Sequence, residues 1–125
     1  MEKIGHFNKA QHNEKFFNHF DVDKTEFRDW VVVGIFYAAI HYYEAYFARY
    51  GKHSYSHEAR DEWIGNDSRI GDTYTEYREL KQYRRLASYK DKNFTPADIR
   101  NFVLPKFNTI KVKLLSAIES NKSIA

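Results

Sequence analysis

The run Trp30 to Tyr43, Trp-Val-Val-Val-Gly-Ile-Phe-Tyr-Ala-Ala-Ile-His-Tyr-Tyr, constrains this chain more than any other stretch. It contains no Asp, Glu, Lys or Arg, and His41 is its one group that titrates near neutral pH. A helix that is apolar nearly all round must be covered by neighbours on several sides. The run is shorter than the roughly 20 residues needed to span a bilayer. It therefore predicts the buried central helix of a core, not a membrane segment. Gly34, Ala38, Ala39, Ala45 and Ala48 are small and allow neighbouring helices to approach closely. With 125 residues in all, the chain has room for one ordinary domain.

The rest of the chain is also patterned as helix. There are 5 Gly and 2 Pro, too few for the turns of an all-β sandwich, and no Asn-Gly or Asp-Gly hairpin signal occurs. A first helix is predicted from about Lys3 to Phe20, broken by Asp21-Val22-Asp23. A second runs from about Thr25, a plausible N-cap, to Tyr50, with Gly51 placed for a left-handed stop. Ser56 can cap a short helix from His57 to Ile64, and a fourth helix follows from Arg69 or Asp72 to Tyr89. Thr95-Pro96-Ala97-Asp98 is the clearest boundary: Thr95 caps, Pro96 takes the first helical position and Asp98 can return a capping-box contact. The last helix carries Ile99, Phe102, Val103, Phe107, Ile110, Leu114, Ala117 and Ile118 at steps of mostly three and four. Pro105 should kink it. The tail from Asn121 to Ala125 is expected to fray. Four long helices and one short one, joined by short links, predict an all-α, up-and-down bundle as a single domain over 1–125.

Several chemistries are excluded. Cys is 0, which removes disulfides, thiolate metal sites and a cysteine nucleophile. There is no P-loop, no Gly-x-Gly-x-x-Gly, no His-Glu-x-x-His and no Glu-x-x-His. No cofactor and no metal site are expected. The start of the chain shows no apolar leader segment, so the expected location is the cytoplasm. A formal charge of +3 and a pI near 9.0 permit nucleic acid as a partner without requiring it.

What remains is built on His and Arg. His12 and His19, seven apart, share a helix face and either hold a metal or are boundary residues. His41, with Glu44 one turn on, is either a general base in a cleft or a core histidine hydrogen-bonded to a Tyr or a carbonyl. His57 and Arg60 lie on one face of the short helix. They suit phosphate chemistry, with an imidazole to move a proton and a guanidinium to grip two oxygens. The alternative is a surface pair with Arg60 bonded to Asp61 or Glu62. On the fourth helix Arg78, Gln82, Arg85 and Tyr89 form one stripe, and Arg84 stands beside it among Tyr74, Tyr77 and Tyr83. Basic residues mixed with aromatics suit single-stranded RNA, or else form a solvated bundle face. Arg49 and His53, near the end of the central helix, complete the RNA- or nucleotide-binding candidates.

The stretch Asp29 to Tyr46, with its Phe-Tyr-Ala-Ala-Ile-His core, resembles the central helix of HEPN-domain proteins. The likeness continues through Ser56-His57-Glu58-Ala59-Arg60-Asp61, then Tyr77-Arg78-Glu79-Leu80 and Arg84-Arg85-Leu86-Ala87-Ser88-Tyr89, and covers roughly Thr25 to Ile118. The resemblance implies an up-and-down helical bundle that forms a homodimer and a link to RNA. Many such proteins are metal-independent ribonucleases of toxin–antitoxin, phage-defence or CRISPR systems. Others pair with a nucleotidyltransferase-type partner, and some have lost catalysis. The family's ribonuclease signature is Arg, four to six residues, then His. Here Arg49 is followed by His53 after three residues and by His57 after seven, so the usual assignment does not carry over. The expected alternative site uses His57 and Arg60, with His41 and Arg84 from neighbouring helices.

Overall fold

A computed structural model describes residues 3–54, 56–89 and 92–124, with the backbone alone at 3 and 120–124. Tyr55, and the Lys90-Asp91 part of the polar link after the fourth helix, lie outside the described residues. The elements are α1 (Lys3–Asn18), α2 (Arg28–Ala48), α3 (His57–Asn66), α4 (Tyr74–Ser88), the single turn α5 (Pro96–Asp98) and α6 (Leu104–Ile124). A 3₁₀ turn, Gly71–Thr73, leads into α4, and a π turn, Ile99–Val103, joins α5 to α6. No strand occurs among the described residues, so the fold is all-α.

Local chemistry sets most boundaries. The N–H of Ala59 donates to Ser56 Oγ at 3.0 Å, which caps α3. Thr95 Oγ1 accepts from the Asp98 N–H, and the Thr95 N–H donates back to Asp98 Oδ2, both at 3.0 Å, closing the capping box at α5. Gly51 has φ 72°, and the Lys52 N–H reaches back to the Phe47 carbonyl at 3.0 Å, which stops α2 in a left-handed cap. Thr25 is not the cap of α2. Its Oγ1 accepts the Phe27 N–H at 3.1 Å, and the helix begins later, at Arg28. The reason is the Arg28 side chain, whose Nε donates to the Val22 carbonyl at 2.7 Å and ties the preceding turn against the helix start. Pro105 does not end the last helix. The π turn precedes it, with the Leu104 N–H donating to the Ile99 carbonyl, and α6 runs on to Ile124; Ala125 lies outside the described residues.

α2 is the centre of the molecule. α1, α4 and α6 all pack on it, and α4 also packs on α6. By length and composition α2 could cross a membrane, but 78% of its most apolar window is covered by the protein itself, as in a core helix. Gly34 lets α1 come close, since a Cβ there would sit 3.0 Å from the Phe16 ring. His6 faces His41 and Phe7 faces Tyr42, whereas Phe16 faces Gly34, so α1 runs antiparallel to α2. From α6, Phe107 sets its ring edge-on to Phe17 and near Tyr42. Ile35, Tyr43, Tyr77, Leu80, Ile110 and Leu114 are fully buried, each stabilising by about 1.5–3 kcal/mol as apolar area leaves water. Two expectations fail here. Trp30, at the head of the apolar run, is 57% exposed, and Phe102 is 52% exposed.

Candidate functional site

Near its C-terminal end α2 buries a carboxylate. Glu44 is only 5% exposed. An isolated buried carboxylate is strongly disfavoured, so the fold must supply partners. Arg60 Nε from α3 donates to Glu44 Oε1 at 2.9 Å, and the Ser54 hydroxyl from the preceding link donates to the same oxygen. Burial pushes the Glu44 carboxyl up, but these two hydrogen bonds and the Arg60 charge outweigh it and hold the group below its ordinary range. Arg60 also bonds His57 Nδ1 through Nη1 at 3.1 Å. The predicted pair on one face of α3 therefore forms, and Arg60 is anchored by Glu44 rather than by Asp61 or Glu62. Asp61 instead accepts from the Tyr77 hydroxyl and from Lys81 Nζ, both on α4.

His41, three residues before Glu44, is partly buried and meets His6 of α1, Nδ1 to Nδ1, at 3.1 Å. One nitrogen must donate and the other accept, so the pair suits two uncharged rings in different tautomers. Burial lowers His41 to about 4, helped by the neighbouring His6. Burial likewise lowers His6, against the opposing pull of Glu44. Both rings are therefore held in the neutral, proton-accepting form at pH 7. His53 is exposed in the link beside them and adds to the lowering of His6.

The structure thus joins His41, Arg60 and His57 around Glu44. Arg84 is placed elsewhere. Its Nη2 donates to Tyr37 Oη at 3.2 Å, and its guanidinium lies 5.9 Å over the Tyr37 ring. It lines an open groove of about 660 Å³ between α2 and α4 that contains none of the three. Arg78, Gln82, Arg85 and Tyr89 are all exposed, as a stripe on the outer face of α4, with Arg78 5.8 Å over the Tyr74 ring. Arg49 is the half-buried C-cap residue of α2. His12 and His19 are both exposed on or beside α1. Among the described residues no group of three His, Asp or Glu side chains is placed to hold a metal ion.

Glu44, Ser54 and His6 complete the cluster and were not singled out as site residues from sequence. Glu44 could have been, because it is the one acid within an otherwise apolar buried stretch and so demands a cation. His6 carries no comparable signal; only the packing of α1 on α2 brings it to His41. No known protein-family model, curated protein or solved structure matches the chain.

Proposed function

We propose that this chain is a HEPN-like up-and-down bundle, dimeric, that binds single-stranded RNA and cleaves it without a metal at the cluster around Glu44. What supports the cleavage reading is the gathering of neutral histidine and fixed guanidinium on the same few turns. His41 is held uncharged beside His6, and Arg60 is held in place by buried Glu44 next to His57. An uncharged imidazole accepts the proton of a ribose 2′-hydroxyl as its oxygen bonds the adjacent phosphorus. The 5′-oxygen then leaves, taking a proton from His57, which enters the step as the protonated imidazole, and Arg60 stabilises the charge on the phosphoryl oxygens. The products are a 2′,3′-cyclic phosphate and a 5′-hydroxyl. The exposed Arg78, Arg85 and Tyr89 supply charge and a ring for the strand.

The test is end-labelled single-stranded RNA incubated with the protein in EDTA. Cyclic-phosphate ends are expected from the parent, with the rate falling about 100-fold or more in His57→Ala and His41→Asn, the usual size of a lost acid or base. Intact RNA with the parent would remove the cleavage reading, and the absence of a gel shift on the same samples would remove RNA binding too.

A second reading is a non-catalytic dimeric module, alone or with a nucleotidyltransferase-type partner. Glu44 cancels the charge of Arg60, and the exposed Ile4 and Phe16 give α1 apolar surface for a partner. Sedimentation as a dimer, together with inactivity on RNA, is the result that favours it.

A further inference from the structure

The groove between the N-terminal part of α2 and the C-terminal part of α4 plays no part in the cluster around Glu44. Its wall includes Phe27 and Trp30, 47% and 57% exposed, large rings left facing solvent. Glu26 and Asp29 line it as well, and no hydrogen bond or ion pair among the described residues engages either carboxylate. At the other end stand Tyr37 and Arg84, and Arg84 Nε is buried with no partner among the described residues. Free acceptors, a guanidinium and exposed aromatic faces thus meet in one hollow. A complementary ligand has a flat π-face, adjacent N–H donors on one edge and an acceptor or anion at the far end.

We propose that this groove is a base subsite for guanine, supplied by single-stranded RNA or by a free guanine nucleotide. The RNA source rests on the function proposed above; the base site itself does not. Guanine presents N1–H and the N2 amino group side by side, two donors that an ionised carboxylate, which only accepts, can take together. Adenine and cytosine each set a ring acceptor beside a single amino donor, and uracil flanks its N–H with two carbonyls, so each turns lone pairs toward Glu26 or Asp29. Stacking on Trp30 holds any base, and the carboxylates choose among them. Arg84 then meets a phosphate at one side. An adjoining hollow of about 260 Å³, which shares Glu26 and Asp29, brings Lys92 to the other side. A strand crossing the groove would keep its backbone on these cations and its base between them. Lys81, one helical turn before Arg84, is bonded to Asp61 next to Arg60, which continues the basic track toward the cluster.

The experiment compares an A8 RNA with the same RNA carrying one central G, by fluorescence anisotropy, and GMP with AMP by tryptophan quenching. The second tryptophan, Trp63, is packed against Phe47, so a Trp30→Phe variant isolates the signal of Trp30. At least five-fold tighter binding of the G-containing RNA is expected, together with quenching by GMP that exceeds that by AMP. Glu26→Gln, alone and with Asp29→Asn, should erase the preference while A8 binding persists. Equal affinity for both RNAs overturns the guanine site and leaves the RNA reading standing, as does a preference that survives the carboxylate variants. Quenching of Trp30 by GMP without binding of either RNA upholds the guanine site and removes the RNA reading. No response to any of these probes overturns both.

Discussion

The two ends of α2 treat polar groups in opposite ways. At the C-terminal end Glu44 is buried and bonded to both Ser54 and Arg60, and Arg60 is bonded in turn to His57. At the N-terminal end the carboxylates of Glu26 and Asp29 stand at an open groove and bond nothing among the described residues. The difference separates two uses of charge. A buried ion pair about breaks even against apolar packing, but losing one partner is expensive, so it fixes geometry. A carboxylate at the rim of a groove adds little to stability and keeps its lone pairs for something that arrives.

The contrast breaks most sharply at Arg60. Arg60→Ala leaves Glu44 buried without its cation and is expected to destabilise the fold by about 3 kcal/mol. Glu26→Gln at the other end should stay within about 0.5 kcal/mol. Urea unfolding of the two variants beside the parent measures the difference directly, and equal effects would erase the distinction between the ends.

Acid should act on the same end. The folded state holds His41 near pKa 4 against an ordinary value of 6.5, so between these limits the unfolded chain binds more protons. Stability is therefore flat above about pH 6.5 and falls as pH drops toward 4, with His6 contributing in the same direction. Allowing for partial exposure, the His41 loss is on the order of 2 kcal/mol. Glu44, held below its ordinary value of 4.5, stabilises above that value and withdraws its contribution as pH falls further. Thermal melts of parent and His41→Asn from pH 4 to 8 test this. The variant should lose much of the slope between pH 6.5 and 4 and keep the steeper fall below it.

A smaller loss than those at Arg60 and His41 is expected one residue before Glu44. Tyr43 is fully buried, and its hydroxyl meets Thr73 Oγ1 at 2.6 Å, while the Thr73 hydroxyl also reaches the Ile70 carbonyl at 2.7 Å. Tyr43→Phe should cost about 1 kcal/mol, the net worth of one buried hydrogen bond, because Thr73 keeps its second partner. A denaturation midpoint shifted well beyond that would show that the link into α4 depends on this bond.

How much of this was legible depended on whether the cause was local. Ser56, Gly51 and the Thr95-Pro96-Asp98 box act through bonds between near neighbours, and the structure has each as the sequence predicts. Thr25 misled because Arg28 reaches back to Val22 and Asp23 and sets a later helix start, a long side chain overriding a short one. The pairing of His57 with Arg60 followed from helical spacing. Its anchoring by Glu44 and the meeting of His6 with His41 are tertiary events, joining residues far apart in the chain. From sequence, Arg84 joins the histidines as a contribution from a neighbouring helix, whereas its place on α4 sends it to Tyr37 and the groove. Trp30 heads an apolar run and so reads as core, but it lies on the face of α2 that lines the open groove, while its neighbours Val31 and Val32 are buried.

The π turn has a consequence for the phase of the last helix. The buried positions Ile99, Val103, Phe107, Ile110, Leu114 and Ile118 contain too many steps of four for a straight stripe. At about 100° per residue, the path from Ile99 to Ile118 makes five turns and overshoots by about 100°. In an unbroken α-helix the first and last of these side chains would point to different quarters. A turn that takes in one extra residue returns about that same angle, so it works as a vernier that re-zeroes the stripe just before Pro105. Phe102, inside that turn, is the side chain left facing outward when the phase is reset.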